Sequence, residues 1–262
     1  MLPPIDVHRL TEALPTSHGW APVAHLDEVG STNAEALDRA RPWAPVIAEL
    51  QTAGRGRLGR AWQETRSAGL AMSVVVPRVP DPGWLPLAAG LAVRDAVAAL
   101  GVETELKWPN DVLLPADDGR KVCGILCQML PTGEGVVVGI GINVHHARDQ
   151  LPVATATSLR LAGVAADRTE LAAAVLTRLR ALHADLADGS DRAKGVHLAY
   201  RAACGTIGRL VDVHRPDGSV ETARAVDVDA DGRLVMSVDG RFDTVAAGDV
   251  QHIRPAGTPP RP

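Results

Sequence analysis

Short apolar runs alternate with helical patterns along most of the chain. Runs that are rich in β-branched residues and bounded by turn signals are typical of buried strands, and they occur at residues 46–51, 70–76, 122–130 and 136–144. Apolar positions at three- and four-residue spacing predict helices at residues 32–40, 85–100 and 169–186. The pattern therefore predicts an α+β fold with one central sheet flanked by helices.

The two ends of the chain differ from this middle part. The first 20 residues contain three prolines and no sustained period, which predicts a loose lead-in. After Gly205, short strand-like segments are separated by hairpin-type turn pairs, namely Asp217-Gly218, Asp231-Gly232 and Asp239-Gly240. We therefore expect a larger domain at residues 1–205, with 1–20 as its lead-in, and a small β-barrel within residues 206–262.

Composition limits the class of protein. With 46% hydrophobic and 22% charged residues in 262 positions, the chain is ordinary globular material. Its formal net charge of -4 argues against a broad nucleic-acid-binding surface. The three cysteines are interpreted as reduced core thiols. Neither a leader pattern nor an apolar run of membrane-spanning length occurs, so we expect a cytoplasmic protein without membrane contact.

A glycine- and arginine-rich segment at residues 51–62 carries the first chemical signal. Three glycines alternate with three arginines, and an indole follows; the residues are Gly54, Arg55, Gly56, Arg57, Gly59, Arg60 and Trp62. Glycines let the backbone approach a ligand, and guanidinium groups pair with carboxylate or phosphate oxygens two at a time. The segment predicts a site for a small anion.

Three other interpretations of this segment are open. The glycines also fit a dinucleotide-binding G-x-G-x-x-G pattern, but residues 60–69 show no helical period and no acidic residue follows the next strand. A solvated basic loop is another interpretation, but it does not explain why glycines alternate with the arginines. If the segment were a nucleic-acid-binding arginine loop, its affinity for nucleic acid would fall steeply as the salt concentration rises. We keep an oxidoreductase as the alternative from a different functional class.

A second segment, Lys107-Trp108-Pro109-Asn110-Asp111, favours one family. Together with residues 51–62 it closely resembles the signature of the biotin protein ligases, in which a GRGRxGRxW loop precedes KWPND. The resemblance continues through residues 120–126 and 139–143 and the upstream Ser31-Thr32-Asn33. It implies a mixed central sheet of the class II synthetase and biotin-lipoate ligase type, with an SH3-like barrel at the C-terminus.

The resemblance also implies an activity. Such an enzyme joins the biotin carboxylate to the α-phosphate of ATP, releases pyrophosphate, and passes biotin from biotinyl-AMP to a lysine of a carrier domain. Mg²⁺ is expected to accompany ATP, although the sequence does not identify its ligands. The expected acceptors are biotin carboxyl carrier domains of acyl-CoA or pyruvate carboxylases. A lipoate protein ligase is the alternative within the same fold.

Site residues follow from the resemblance by position. The biotin-binding set is expected to be Ser31, Thr32, Asn33, Gln51, Gly54, Arg55, Gly56, Arg57, Lys121, Gly124, Gly139 and Gly141. The ATP and adenylate set is expected to be Arg57, Arg60, Trp62, Lys107, Asn110 and Asn143. The residues expected to act in catalysis are Arg57, Lys107 and Lys121.

Several of these positions have simpler interpretations. Thr32 and Glu35 could form a capping box, and the strand glycines 139 and 141 could mark a bulge. Asp111 could orient Lys107. Leu58 stands where many relatives have another arginine, which puts the loop's affinity for the adenylate in doubt. The chain before Asp27 is too short for the DNA-binding domain of some family members, so we expect no operator binding.

Overall fold

The computed structural model describes residues 2–214, 218–246 and 249–252, the last four by their backbone only. Seven strands build its central sheet: β1 (Ala24–Leu26), β2 (Val46–Ala48), β3 (Gly69–Pro77), β4 (Glu105–Lys107), β5 (Asp111–Leu114), β6 (Arg120–Met129) and β7 (Gly135–Asn143). Their order is β1-β2-β3-β7-β6-β5-β4. Because β1 pairs with β2 in parallel and the other neighbours are antiparallel, the sheet is mixed, as predicted.

Helices cover both faces of this sheet. They are α1 (Val7–Ala13), α2 (Thr32–Arg39), α3 (Leu85–Ala98), α4 (Arg168–Asp188) and α5 (Asp191–Ala203). Successive strand residues point to opposite faces. On β3, Val74 and Val76 join the main core with α3 and α4, whereas Val75 packs with Ala36 of α2. The α2 face and the α3–α4 face are therefore distinct, and the α+β prediction is confirmed.

A second sheet follows α5. Its strands are β8 (Leu210–His214), β9 (Val220–Val228), β10 (Leu234–Val238), β11 (Arg241–Val245) and β12 (Asp249–His252), in the order β11-β10-β9-β8-β12 with every pair antiparallel. This sheet fits the predicted SH3-like barrel. The turns at 231–232 and 239–240 are confirmed, with Gly232 and Gly240 both at positive φ. Asp217 and residues 253–262 lie outside the described residues.

Two tryptophans fasten the second sheet to the first unit. The Trp84 Nε1–H donates to the Ala230 carbonyl at 2.7 Å, and the Trp108 Nε1–H donates to the Gly232 carbonyl at 3.0 Å. A Cβ atom on Gly83 would overlap the Asp231 carbonyl. A buried indole N–H requires a hydrogen-bond acceptor. Two carbonyls of the β9–β10 turn supply these acceptors, which holds the turn against the core.

The expectation of a loose lead-in is wrong. Asp6 caps α1 by accepting from the Arg9 backbone N–H, and Leu10 and Leu14 are fully buried. The Ile5 backbone N–H donates to Glu49 Oε1 at 2.7 Å. The helix has only seven residues, which is too short to show a helical period between prolines.

An ion pair lies inside the core next to this segment. Arg168 and Glu49 are both buried, and Nη2 of Arg168 lies 2.7 Å from Oε2 of Glu49. Arg168 also donates to the carbonyls of Gly69 and Pro3. Burial alone would raise the pKa of Glu49, but hydrogen bonds from Ile5, Arg168 and Ser67 outweigh it and lower the pKa to about 2. The pair joins the N-terminal segment, the central sheet and α4.

Other elements were not predicted. The short strands β1, β4 and β5 were missed because runs of three or four residues carry too little periodicity. Helix α5, which has 13 residues, was also missed. Within the described residues, no helix combines the length and apolarity needed to cross a membrane.

Arg168→Met should destabilise the protein strongly. It leaves the Glu49 carboxylate buried without its cation, which typically costs about 3–5 kcal/mol. Urea unfolding measures the loss, with Arg39→Met at the exposed pair with Glu35 as the control, where little change is expected. Adding Glu49→Gln to Arg168→Met should recover part of the loss, since no unpaired charge is then buried. A loss equal to that of the control would contradict this role.

Candidate functional site

A cavity of about 1300 Å³ opens on the α2 face of the central sheet. Nearly all of the predicted site residues line it: Ser31, Thr32, Asn33, Gln51, Arg55, Gly56, Arg57, Arg60, Trp62, Lys107, Asn110, Lys121, Gly124, Gly139, Gly141 and Asn143. Gly54 is the exception. A Cβ there would lie 2.6 Å from the Trp62 carbonyl, so this glycine serves the shape of the loop.

Three strand glycines, Gly124, Gly139 and Gly141, form a bare patch that we call the glycine platform. Gly124 pairs with Gly141 across β6 and β7. A Cβ on Gly141 would come within 2.6 Å of the Trp62 indole, and one on Gly124 within 2.9 Å of both Trp62 and Lys121. A Cβ on Gly139 would overlap Asn33 Oδ1. The groups that approach these glycines are side chains of this protein, and the place of the glycines in the biotin-binding set stays a prediction.

Polar side chains beside the platform form one hydrogen-bond network. Gln51 Oε1 accepts from the Thr32 backbone N–H at 2.8 Å and from its hydroxyl at 2.9 Å. Ser73 Oγ lies 2.8 Å from Thr32 Oγ1 and 2.7 Å from Asn33 Oδ1. The Asn33 amide donates to Gln128 Oε1 at 2.7 Å. Ser73 has one proton for two acceptors, so the network can take one further donor.

The helix cap interpretation of this segment does not hold. Ser31 occupies the N-cap of α2 but makes no side-chain capping hydrogen bond. The Thr32 hydroxyl serves Gln51 and Ser73, and Glu35 pairs with Arg39. The predicted capping box of Thr32 and Glu35 is therefore absent.

Residues 54–62, the Gly-Arg loop, fold back on themselves. The Trp62 N–H donates to the Gly54 carbonyl at 2.9 Å, and the Gly56 N–H donates to the Arg60 carbonyl at 2.7 Å. Leu58 stands at the tip with a φ of 56°. No α-helix begins between the loop and Gly69, so the dinucleotide-binding interpretation fails in the structure as it did in the sequence.

The lining carries a strong positive charge. Lys121 Nζ lies 2.6 Å from Asp111 Oδ1 and 5.6 Å from the centre of the Trp62 ring. Asp111 was considered as a partner of Lys107, but its carboxylate pairs with Lys121 instead. Seven arginine or lysine side chains and three carboxylates line the cavity, a formal charge of +4, whereas the whole chain has -4. The cavity therefore attracts anions in an otherwise acidic protein.

Glu64 is a carboxylate that the sequence analysis missed. Its Oε2 accepts from the Gln51 backbone N–H at 3.1 Å, which joins the two ends of the segment that carries the Gly-Arg loop. Burial raises the pKa of Glu64 to about 7, and the Gln51 hydrogen bond offsets this only in part. In the sequence, Glu64 could have been noticed as a single acidic residue within a basic segment.

The KWPND segment divides its residues between the core and the cavity. Trp108 is fully buried, and its backbone N–H donates to Thr206 Oγ1 at 3.0 Å. Lys107 and Asn110 line the cavity, and the Asn110 amide donates to the Ile125 carbonyl at 2.8 Å. Trp108 therefore anchors the strand end that carries the two polar residues.

The second sheet also reaches the cavity. Arg209, Leu210 and Arg224 line it together with Glu105 of β4. Nη2 of Arg209 lies 2.7 Å from Oε1 of Glu105. Sequence reasoning missed all four residues, because their neighbours in space lie far away along the chain.

The remaining cysteine and histidine residues do not form a metal centre. The part of the chain that the structure describes contains no cluster of His, Cys, Asp or Glu suited to a metal ion. Cys123, Cys127 and Cys204 are unpaired thiols, as predicted. His146 is buried, and burial lowers its pKa to about 4.

Comparison with known proteins agrees with this geometry. Residues 31–144 match the model of the Biotin/lipoate A/B protein ligase family. The biotin--[acetyl-CoA-carboxylase] ligase of Mycobacterium tuberculosis is 42% identical over 96% of this chain and 97% of its own length. The bifunctional ligase/repressor BirA of Bacillus spizizenii is 30% identical over 87% of this chain and 73% of its own length.

A solved structure extends the likeness to the fold. The biotin protein ligase from Aquifex aeolicus in complex with biotin and ATP superimposes with a TM-score of 0.77 at 26% identity, covering 89% of this chain and 99% of that one. Sequence motifs, fold and cavity agree, and the resemblance inferred from the sequence is confirmed. The chain belongs to the biotin protein ligase family.

Proposed function

We propose that this protein is an ATP-dependent biotin protein ligase. It makes biotinyl-5'-AMP from biotin and ATP, releases pyrophosphate, and transfers biotin to a lysine of a carrier domain. The observation that carries this proposal is one cavity lined by a hydrogen-bond network, a bare glycine platform and the arginines of the Gly-Arg loop. The network suits a small polar ring and the arginines suit its activated carboxylate.

Biotin recognition rests on the network of Gln51, Thr32 and Asn33. The ureido ring has one carbonyl and two N–H donors in fixed directions. The Ser73 hydroxyl can donate to only one of Thr32 Oγ1 and Asn33 Oδ1. The other oxygen can accept a hydrogen bond from a ureido N–H. A buried site that pairs each polar group of its ligand discriminates strongly against analogues that lack them.

The first step is carried by charge and position. A biotin carboxylate oxygen attacks the α-phosphorus, the bond to the bridging oxygen of pyrophosphate breaks, and pyrophosphate leaves. Two anions must meet, so fixed cations lower the barrier. Arg57 and Lys107 line the cavity and supply this charge. Trp62 and Asn143 are the residues that we assign to the nucleoside.

Lys121 acts in the second step. The acceptor amine attacks the acyl carbon of the adenylate, the bond from that carbon to the phosphate oxygen breaks, and AMP leaves as the amide forms and the amine loses a proton. A cation beside the acyl oxygen stabilises the charge that develops there. Asp111, 2.6 Å from Lys121 Nζ, orients that cation.

Mg²⁺ would neutralise the phosphate oxygens of ATP, held chiefly by those oxygens and by few protein groups. Acceptors would be carrier domains of acyl-CoA or pyruvate carboxylases. The domain division at residues 205–206, the cytoplasmic location and the lack of binding to DNA or membranes stay predictions.

The activity can be measured directly. Purified protein, ATP and a biotin carboxyl carrier domain are incubated with either biotin or lipoate, and the carrier is weighed by mass spectrometry. We expect a shift of one biotinyl group with biotin and none with lipoate. A shift with lipoate alone would identify a lipoate ligase, and no shift with biotin would refute the proposal.

Arg57→Ala should release the adenylate to water. Hydrogen bonds to charged groups contribute about 1.5–3 kcal/mol, so biotinyl-AMP should dissociate roughly ten- to a hundredfold faster. Rapid filtration of the enzyme without acceptor measures its retention. Arg66→Ala is the matched control, because Arg66 lies in the same segment but pairs with Asp27 and Glu28 outside the cavity. Equal retention of biotinyl-AMP in both variants would show that Arg57 does not hold the adenylate.

Glu64 should make the conformation of the Gly-Arg loop depend on pH. We call the folded-back conformation of the structure closed, and a conformation that exposes Glu64 to water open. Its pKa is raised from 4.5 to about 7 while buried, so the closed loop binds a proton that an open loop lacks. Closure should weaken as pH rises from 4.5 to about 7 and level off above. The neighbouring His146 is mostly neutral in this range, because burial lowers its pKa to about 4.

Hydrogen exchange of the amides of residues 54–62 tests this dependence. Glu64→Gln keeps the acceptor for the Gln51 N–H and does not titrate. The ratio of wild-type to Glu64→Gln exchange at each pH removes the intrinsic pH effect on amides. The ratio should rise up to about pH 7; a constant ratio would show that Glu64 does not control the loop.

A further inference from the structure

Ser73 lies behind the hydrogen-bond network and outside the cavity. It belongs to β3, is 1% exposed, and does not line the cavity. Its hydroxyl oxygen lies between Thr32 Oγ1, at 2.8 Å, and Asn33 Oδ1, at 2.7 Å. Both of these residues line the cavity. Ser73 therefore acts on a bound molecule through the two side chains that it contacts.

The proton of the Thr32 hydroxyl is committed to Gln51. The Thr32 backbone N–H is a donor only, and it lies 2.8 Å from the Gln51 side chain, so the amide oxygen must be the atom on that side. The Thr32 hydroxyl lies 2.9 Å from the same oxygen and must donate to it. The Gln51 amide nitrogen accordingly faces Gly54, where a Cβ would lie 3.1 Å from it. Thr32 Oγ1 therefore offers only lone pairs to Ser73.

The Asn33 amide is fixed in the same way from the other side. Its nitrogen donates to the Leu126 carbonyl at 3.2 Å and to Gln128 Oε1 at 2.7 Å. A backbone carbonyl only accepts, so the amide nitrogen must face Leu126 and the oxygen must face Ser73. A Cβ on Gly139 would overlap this oxygen. Asn33 Oδ1 is therefore an acceptor held against the glycine platform.

Ser73 thus meets two acceptors with one proton. At any moment its oxygen lies within hydrogen-bond distance of one acceptor, either Thr32 Oγ1 or Asn33 Oδ1, with no proton between the two atoms. Such a contact is unfavourable in a buried place, and a ligand N–H relieves it. On this side the site therefore offers lone pairs and no hydroxyl proton. A ureido N–H fits there, whereas a ligand carbonyl would be repelled.

We propose that Ser73 is a positioning residue for biotin, which sets the hydrogen-bond polarity of the ureido site without touching the ligand. The inference rests on the proposed function, which assigns the ureido ring to this cavity. Without the Ser73 hydroxyl, both Thr32 Oγ1 and Asn33 Oδ1 need another donor. One ureido N–H serves one of them, and bound biotin excludes the water that would serve the other. Biotin binding then leaves one acceptor buried and unpaired, which is unfavourable.

Ser73→Ala tests the proposal by removing the hydroxyl. The Kd for biotin, measured by titration calorimetry, should rise about tenfold, the scale of one unpaired buried acceptor. At saturating biotin, the KM for ATP and the kcat for carrier biotinylation should stay at their wild-type values. Protonated iminobiotin has a cationic guanidinium in place of the ureido group and donates more strongly, so it gains more from the freed acceptors. The preference for biotin over iminobiotin should therefore fall about threefold or more.

Ser158→Ala is the matched control. Ser158 is also buried, donates to the His146 carbonyl at 2.8 Å, and does not line the cavity, so its loss should leave the Kd for biotin unchanged. Ser73→Thr and Ser73→Val form a second pair of similar shape, of which only the first keeps a hydroxyl. Biotin should bind about tenfold more tightly to Ser73→Thr than to Ser73→Val. This pair makes the same comparison if Ser73→Ala does not fold, and thermal unfolding checks the fold of every variant.

Two outcomes would overturn the proposal. A wild-type Kd for biotin in folded Ser73→Ala, or equal Kd values in Ser73→Thr and Ser73→Val, would show that the hydroxyl does not position the site. An equal rise of the Kd for biotin and for iminobiotin would show that Ser73 contributes packing alone. Wild-type protein that does not bind biotin would instead refute the proposed function itself, so the two failures are distinguishable.

Discussion

The buried pair of Glu49 and Arg168 sets the base of the whole site. Glu49 lies two residues before Gln51, and Ser67 lies after the Gly-Arg loop. The Ser67 hydroxyl donates to Glu49 Oε2 at 2.8 Å, and its N–H donates to the Glu49 carbonyl at 2.9 Å. Both ends of the segment are thus tied to the residue that Arg168 holds in the core. A buried charge that must keep its partner gives this junction little freedom to move.

From that base, successive hydrogen bonds lead outward to the loop tip. Gln51 and Glu64 form the next pair, Gly54 and Trp62 the third, and Gly56 and Arg60 the last. The inner pairs are buried or half-buried, whereas Leu58, Gly59 and Arg60 at the tip are exposed. Local opening requires little free energy where hydrogen bonds are exposed to water. The segment therefore has a fixed end at Glu49 and Ser67 and a distal end that can respond to ligands.

The sequence could predict what depends on neighbours along the chain. The strands around β3, β6 and β7, the Gly-Arg loop and the KWPND segment all have local signals. The contacts of Trp84 and Trp108 with the β9–β10 turn join residues over a hundred positions apart, and no local pattern encodes them. The same holds for the pair of Arg209 with Glu105 at the cavity. The strand glycines are visible in the sequence, but no local pattern shows that Trp62 and Asn33 pack against them.

One opening must serve two steps with different electrostatic needs. ATP brings a highly charged triphosphate into a cavity of formal charge +4, which neutralises most of the attraction for any other anion. Departure of pyrophosphate removes most of that negative charge and leaves biotinyl-AMP behind. The attraction of the cavity for a further anionic group is therefore stronger with biotinyl-AMP bound than with ATP and biotin bound. Charge alone thus disfavours the approach of such a group while ATP occupies the cavity, and departure of pyrophosphate removes this barrier without any conformational signal between the two steps.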